Sequence, residues 1–232
     1  MAPTLLSLKI ALGLLMADAI IELSFISNMV AWLHRTASGS FAVRINGTVY
    51  NLAGEPLNLL VDQGHTSNGA AGTAFVLIGL GGILALWLRS RPNFRKSRPS
   101  VLLYHIWIAV NIPAVLLTIT ALIYVFAVTN TFAGQTIDAD VARLSASAGE
   151  KYPRDWWTPQ NWFAAVLQLD LVDGDVRNDI AKYHRIMQGW QYNLIPMVII
   201  HLAETVLAFM DFLMRRREKV EYDNVSQGEA KL

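Results

Sequence analysis

Four long stretches of the sequence are apolar enough to cross a membrane. They cover residues of about 5–33, 70–88, 101–128 and 194–214. A membrane-spanning helix needs ~20 mainly apolar residues, and each stretch meets that length. The more polar segments between them, about 35–69 and 129–192, predict two loops on the same side of the membrane. We therefore expect one membrane domain over residues 1–218, an all-α bundle of four transmembrane helices.

A period-two pattern in the first loop predicts a β-hairpin. Apolar and polar residues alternate through FAVRINGTVYNL, and its central Asn-Gly pair is the preferred sequence for a two-residue type I′ turn. We expect strands over about 41–45 and 48–52. Because a lone hairpin is marginally stable, we expect it to lean on the second loop. Thr158 and Pro159 predict the start of a short surface helix there.

Composition supports a membrane protein and removes several classes of function. The chain is 53% hydrophobic and 16% charged, whereas soluble domains are ~25% charged. The net charge is +1 and no nucleic-acid motif is present, so we expect no nucleic-acid partner. The chain has no cysteine, which excludes disulfides, thiolate catalysis and cysteine-ligated metals.

Basic residues predict the orientation of the spans. The linker after the second span holds five basic residues and no acid: Arg89, Arg91, Arg95, Lys96 and Arg98. The fourth span is followed by the basic run 215–217. Because cytosolic flanks carry an excess of Lys and Arg, we expect both termini in the cytosol. The chain is then an integral membrane protein of the secretory pathway or plasma membrane. Its polar end, residues 219–232, predicts a disordered cytosolic tail.

Ionisable residues within the predicted spans are the candidate chemistry. Asp18 and Glu22 lie four residues apart on the first span, and His201 and Glu204 lie three apart on the fourth. Each pair therefore shares a helix face. If these two spans are antiparallel neighbours, we expect Asp18 to face Glu204 and Glu22 to face His201. Ionisable groups in spans are rare and often functional.

Three explanations of this polar layer remain open. The residues form hydrogen-bonded pairs that fix helix register, or they handle protons or a cation, as in proton-coupled transport, or they supply catalytic acid and base groups. In the last case Asp18, Glu22, His201 and Glu204 would act on a lipophilic metabolite or lipid. Bundle di-metal sites use Glu-x-x-His on two helices, and this chain has one His-x-x-Glu in the opposite order. No metal site or cofactor is therefore predicted.

The layout resembles that of tetraspan membrane proteins, with four spans, internal termini, a short β-bearing first outer loop and a larger second one. The cysteine motifs of tetraspanins and claudins cannot form in this chain, so no residue role follows from the resemblance. We expect a protein that organises membrane partners or lipids through folded outer loops. The alternative is a small membrane-embedded enzyme that uses the four residues of the polar layer.

The sequon Asn46-Gly47-Thr48 predicts N-glycosylation, because it lies in an outer loop. We expect glycosidase treatment to increase the gel mobility of protein made in eukaryotic cells, and Asn46→Gln to abolish that shift. Asn224→Gln is the control, since the sequon at Asn224 lies in the predicted cytosolic tail. A glycan on Asn224 would contradict the orientation.

Overall fold

The computed structural model describes residues 3–92, 94 and 97–229. Four of its helical segments are long and apolar enough to span a membrane: Thr4–Ala37, Asp62–Arg89, Arg98–Thr131 and Gly174–Arg217. The predicted class, a four-helix membrane bundle with a small β-hairpin, is confirmed. Arg95 and Lys96, two basic residues of the predicted cytosolic linker, lie outside the described residues.

The described part of the chain contains seven α-helices and three strands. The helices are α1 Pro3–Trp32, α2 Asp62–Thr73, α3 Gly81–Arg89, α4 Arg98–Thr131, α5 Ala139–Ala148, α6 Pro159–Val166 and α7 Gly174–Glu229. The strands are β1 Ser40–Ile45, β2 Thr48–Ala53 and β3 Asp170–Leu171. A π-helical turn, Leu33–Ala37, extends α1, and a second, Ala74–Leu80, joins α2 to α3.

Two helices extend further than the sequence predicts. The second span begins at Asp62, because polar side chains bond within its first turns. Ser67 Oγ donates to the Gly64 carbonyl and accepts from Trp190 Nε1 at 2.8 Å. Helix α7 continues to Glu229, within the segment expected to be disordered. An existing helix extends without a new nucleation cost.

Exposed apolar side chains run along the candidate spans, as expected of helices that cross a membrane. On α4 they run from Leu102 to Tyr124, and on α7 from Tyr192 to Leu213. At 1.5 Å per residue each series is ~32 Å long, close to the ~30 Å hydrocarbon core of a bilayer. Six aromatic residues lie near the ends of the predicted spans. Trp87 and Tyr192 are exposed, and four others are buried: Trp32, Tyr104, Trp107 and Trp190.

Backbone contacts divide the chain into two compact units. The helical unit comprises Met1–Ile20, Ala70–Ile119 and Ile195–Leu232. The sheet-containing unit comprises Ile21–Gly69 and Thr120–Leu194. Helices α1, α4 and α7 contribute residues to both units, so each unit contains parts of the same long helices.

The helical unit packs closely around glycines of the second span. A Cβ atom at Gly82 would lie 2.9 Å from both a Leu12 methyl group and the Trp107 ring. Trp107 Nε1 donates to the Ile78 carbonyl at 3.1 Å, within the π-helical turn before α3. Small residues let membrane helices approach closely, and here they bring α1 and α4 against the second span.

The hairpin in the sheet-containing unit has the predicted register. Strands β1 and β2 pair antiparallel from Ser40↔Ala53 to Ile45↔Thr48. Asn46 and Gly47 have φ values of 51° and 81°, as a type I′ turn requires. The short strand β3 of the second loop pairs with the other edge of β1. The hairpin therefore leans on the second loop, as expected.

Aromatic side chains of the second loop form the core of this unit. Trp157 and Trp162 are fully buried, with ring centroids 5.2 Å apart in an edge-on arrangement. Trp162 Nε1 donates to the Gly54 carbonyl at 2.7 Å, which ties α6 to the end of β2. Helix α6 begins as predicted, with Thr158 Oγ1 accepting from the Asn161 backbone N–H at 3.3 Å.

Helices α1 and α7 are antiparallel neighbours in each unit. In the sheet-containing unit Trp32 stacks on Tyr183 at 4.7 Å and donates through Nε1 to Asp179 Oδ2 at 2.7 Å. In the helical unit Thr4 Oγ1 lies 4.0 Å from Met214 Sδ. The expected adjacency of the first and fourth spans is therefore confirmed.

Gly54→Ala should destabilise the protein because no space exists for the added methyl group. A Cβ at Gly54 would lie 2.9 Å from the Ala37 carbonyl carbon and closer still to its oxygen. Overpacking of this kind costs ~1–3 kcal/mol, and each kcal/mol lowers the unfolding midpoint by ~2–4 °C in a chain of this size. Thermal unfolding in detergent would measure the change.

Gly69→Ala is the matched control for that experiment. It lies in the same unit, within α2, and its added Cβ would meet no atom within 4 Å. Equal unfolding midpoints for the two variants would contradict the packing described at the end of β2.

Candidate functional site

All four residues of the predicted polar layer are buried. Glu22, His201 and Glu204 have no exposed surface, and Asp18 is 8% exposed. They face protein rather than lipid, as ionisable residues in membrane helices do. Asp18, His201 and Glu204 belong to the helical unit, whereas Glu22 belongs to the sheet-containing unit.

Glu22 has an amide partner where the sequence suggested an imidazole. Asn193 Nδ2 donates to Glu22 Oε2 at 3.0 Å. Asn193 precedes His201 by eight residues on α7, which is ~12 Å along the helix. A neutral asparagine amide can donate a hydrogen bond to a buried carboxyl, so an ionisable partner is not required.

His201 is held in one orientation by Thr118 on α4. The Thr118 hydroxyl lies 2.9 Å from His201 Nδ1 and donates to the Ala114 carbonyl at 3.1 Å. Because a hydroxyl has a single proton, Thr118 accepts from Nδ1–H. The hydrogen-bond pattern therefore assigns the proton of the neutral ring to Nδ1 and leaves a lone pair on Nε2.

Several buried polar atoms of the helical unit have no hydrogen-bond partner among the described residues. They are Asp18 Oδ2, His201 Nε2 and both carboxyl oxygens of Glu204. A buried polar group without a partner costs ~1–3 kcal/mol. Glu204 follows His201 by one helical turn on the same face. A carboxyl group and an imidazole lone pair thus lie on one buried stripe of α7.

The register of α1 on α7 gives the depth of Asp18 within the helical unit. Moving fourteen residues from Thr4 along α1, and fourteen back from Met214 along α7, brings Asp18 to the level of residue 200. Asp18 therefore lies at the depth of His201. Glu204 lies three residues, ~4.5 Å, beyond His201 along α7. The predicted facing of Asp18 and Glu204 stays a prediction.

The structure gives no metal-binding arrangement for these groups. Among the described residues, no set of three or more His, Asp or Glu side chains is grouped so that it could hold a metal ion. Cavities of 510, 350 and 220 Å³ in the helical unit are lined by other residues.

A second buried polar cluster was not foreseen. Arg89 at the end of α3 forms an ion pair with Asp211 of α7, and Tyr104 of α4 donates to the same carboxyl oxygen at 2.9 Å. All three residues are less than a tenth exposed. In the sequence, Arg89 indicates only the orientation of the spans. The sequence signal for this ion pair was that Arg89 ends the second span and Asp211 lies near the end of the fourth.

The predicted glycosylation site is exposed. Asn46 lies at the tip of the hairpin, in the turn between β1 and β2. Its side chain is therefore accessible in the folded protein, and the glycan itself stays a prediction.

No family model, curated protein or solved structure matches this chain. The class of protein rests on the fold, because the four candidate spans define a tetraspan membrane protein.

Arg89→Ala should strongly destabilise the protein, since it leaves the Asp211 carboxylate buried without its cation. Breaking a buried ion pair costs ~3–5 kcal/mol, which thermal unfolding in detergent would measure. Arg98→Ala is the control, because Arg98 is an exposed arginine of the same predicted linker. Replacing Arg89, Asp211 and Tyr104 together by Met, Leu and Phe should recover stability. Equal midpoints for the two single variants would refute the cluster.

Proposed function

We propose that this tetraspan protein organises membrane partners or lipids through its sheet-containing unit. In this proposal the unit lies outside the cytosol, in the secretory pathway or at the plasma membrane, and both termini are cytosolic. The observation that carries the proposal is that the two predicted outer loops are joined into one folded unit with its own aromatic core.

Backbone hydrogen bonds fix the two loops against each other. The Leu57 N–H donates to the Tyr152 carbonyl at 2.9 Å, and the Leu60 N–H donates to the Trp157 carbonyl at 2.8 Å. Strand β3 adds a second connection through its pairing with β1. A surface that is already ordered loses little conformational entropy when it binds a partner. This rigidity supports a recognition role for the unit.

An exposed aromatic residue lies where these loop segments meet. Trp156 is 53% exposed and Leu57 is 61% exposed, and they emerge from the two paired segments. Asp155 precedes Trp156 with a φ of 62°, a conformation that costs a non-glycine residue free energy and is concentrated at functional positions. Exposed tryptophans are enriched among the residues that dominate protein interfaces. We therefore assign Trp156 to the recognition surface.

Trp156→Ala should leave folding unchanged and remove partner binding. The side chain is half exposed, so its loss should shift the unfolding midpoint little, whereas the proteins or lipids crosslinked to the full chain in intact membranes should be reduced several-fold. Leu144→Ala is the matched control, because Leu144 of α5 is 59% exposed on the same unit. Trp162→Ala does not serve here, since Trp162 belongs to the core.

A second candidate function is a membrane-embedded enzyme acting on a lipophilic metabolite or lipid. The unpartnered atoms of Asp18, His201 and Glu204 favour it, because a bound substrate would supply the missing hydrogen bonds. Glu22 remains the fourth residue of this catalytic hypothesis. In this case Glu204→Gln would preserve the fold and abolish a cellular product, detected by comparing lipid and metabolite profiles.

The same two variants separate the proposals. Loss of crosslinked partners in Trp156→Ala, with unchanged metabolite profiles in Glu204→Gln, is the result that the organising function predicts. An altered profile in Glu204→Gln, with partners retained in Trp156→Ala, would replace it by the enzyme.

A further inference from the structure

A groove of 350 Å³ runs between α1 and the second span in the helical unit. Its lining residues are spaced i, i+3, i+4 and i+7 on both helices, from Lys9 to Met16 on α1 and from Ile83 to Ser90 at the end of the second span. Each helix therefore contributes one continuous face, and the groove is ~10 Å long. Its volume falls within the ~300–1,000 Å³ typical of ligand pockets. The organising function concerns the other unit and assigns nothing to this groove.

We propose that this groove binds an anionic phospholipid, with an acyl chain along its length and the phosphate at its basic end. The walls of its middle part are apolar and are formed by Leu12, Met16, Ile83 and Leu86. Gly13 leaves room between these walls, because a Cβ there would meet no atom within 4 Å. The methylene groups of an acyl chain gain dispersion contacts in such a groove.

Two basic side chains lie at one end of the groove. Lys9 is exposed and lines the groove. The guanidinium carbon of Arg91 lies 4.1 Å from the ring centroid of Trp87, which also lines the groove. Neither Lys9 nor Arg91 forms an ion pair among the described residues. A guanidinium group stacked on a ring keeps its charge and presents its N–H donors in its own plane, where phosphate oxygens bind. This end of the groove is therefore complementary to an anionic headgroup.

The register of α1 on the second span places these charges at the depth of lipid headgroups. A Cβ at Gly79 would lie 3.0 Å from Met16 Sδ, and counting seven residues from each towards the same end brings Lys9 to within one residue of the level of Trp87. The exposed apolar residues of the second span end at Trp87, and Arg91 follows one turn later. The acyl region and the headgroup region therefore meet at the basic end of the groove.

A hydroxyl group and the predicted orientation favour a headgroup of the cytosolic leaflet. Ser90 Oγ donates its one proton to the Trp87 carbonyl at 2.7 Å, so towards a ligand it acts as an acceptor. A headgroup that carries its own hydroxyl, such as that of phosphatidylglycerol, can donate to it. Basic flanking residues predict that this end of the bundle is cytosolic, and anionic lipids are concentrated in the cytosolic leaflet.

Spin-labelled lipids in phosphatidylcholine vesicles containing the full chain would test the charge at the groove. We expect labelled phosphatidylglycerol to associate with the protein more strongly than labelled phosphatidylcholine. Lys9→Gln should reduce that preference about fivefold, the effect of one basic residue near the membrane surface. Arg98→Gln is the control, because Arg98 is exposed in the same unit and does not line the groove. Circular dichroism would verify that both variants fold.

Gly13→Leu tests the groove itself without changing its charge. The added side chain has room, so it should fill the groove, leave the fold intact and reduce the association of labelled phosphatidylglycerol several-fold. Gly72→Leu is the matched control. It replaces a helical glycine of the same unit whose added Cβ would also meet no atom within 4 Å, and Gly72 does not line the groove.

Any of five results would overturn the inference. Equal association of the two labelled lipids would show that the groove does not select an anionic headgroup. Equal losses in Lys9→Gln and Arg98→Gln would show attraction to the basic end of the bundle in general. Unchanged lipid association in Gly13→Leu would show that the lipid binds elsewhere. A crosslinked dimer in vesicles that Gly13→Leu abolishes would make a second copy of the chain the occupant. Displacement of labelled phosphatidylglycerol by millimolar inorganic phosphate would make free phosphate the ligand.

Discussion

The antiparallel contact between α1 and α7 is the constraint on which the rest of the structure depends. It joins the first and last helices of the chain in both units, through Thr4 and Met214 in the helical unit and through Trp32 and Asp179 in the sheet-containing unit. That register sets the depth of every polar group on the two helices. It gives Glu22 its asparagine partner and brings Asp18 to the level of His201.

The buried polar residues of the helical unit fall into two groups, those with a bonding partner and those without one. The Arg89–Asp211–Tyr104 cluster and the Thr118–His201 contact bond to their own neighbours and so serve stability and orientation. Glu204 is buried in the same unit, and both of its carboxyl oxygens lack a hydrogen-bond partner among the described residues. Glu204 is therefore the first residue to test for a catalytic role within the predicted spans. The folded aromatic core of the other unit carries the proposed organising function. The two proposals therefore depend on different residues and are separable by mutation.

The sequence was sufficient wherever a local rule determines structure. The spans follow from apolar length, the hairpin from Asn46-Gly47, and the start of α6 from Thr158 and Pro159. Prediction from the sequence failed where tertiary contacts determine the structure. A two-residue strand such as β3 has no pattern of its own, and the polar start of α2 forms a helix because Ser67 finds a partner on α7. Which side chains meet across two helices depends on the helix register to within one turn. Counting residues from the ends of the spans does not give the register that accurately.

Cysteine crosslinking across α1 and α7 tests this account most directly, since the natural chain has no cysteine. A Cβ at Gly189 would lie 3.2 Å from the Phe25 ring, so Phe25→Cys with Gly189→Cys should crosslink efficiently in membranes with a short thiol-specific reagent. Ser27→Cys with Gly189→Cys should not, because Ser27 is exposed on the opposite face of α1. Efficient crosslinking of the second pair and none of the first would contradict the register.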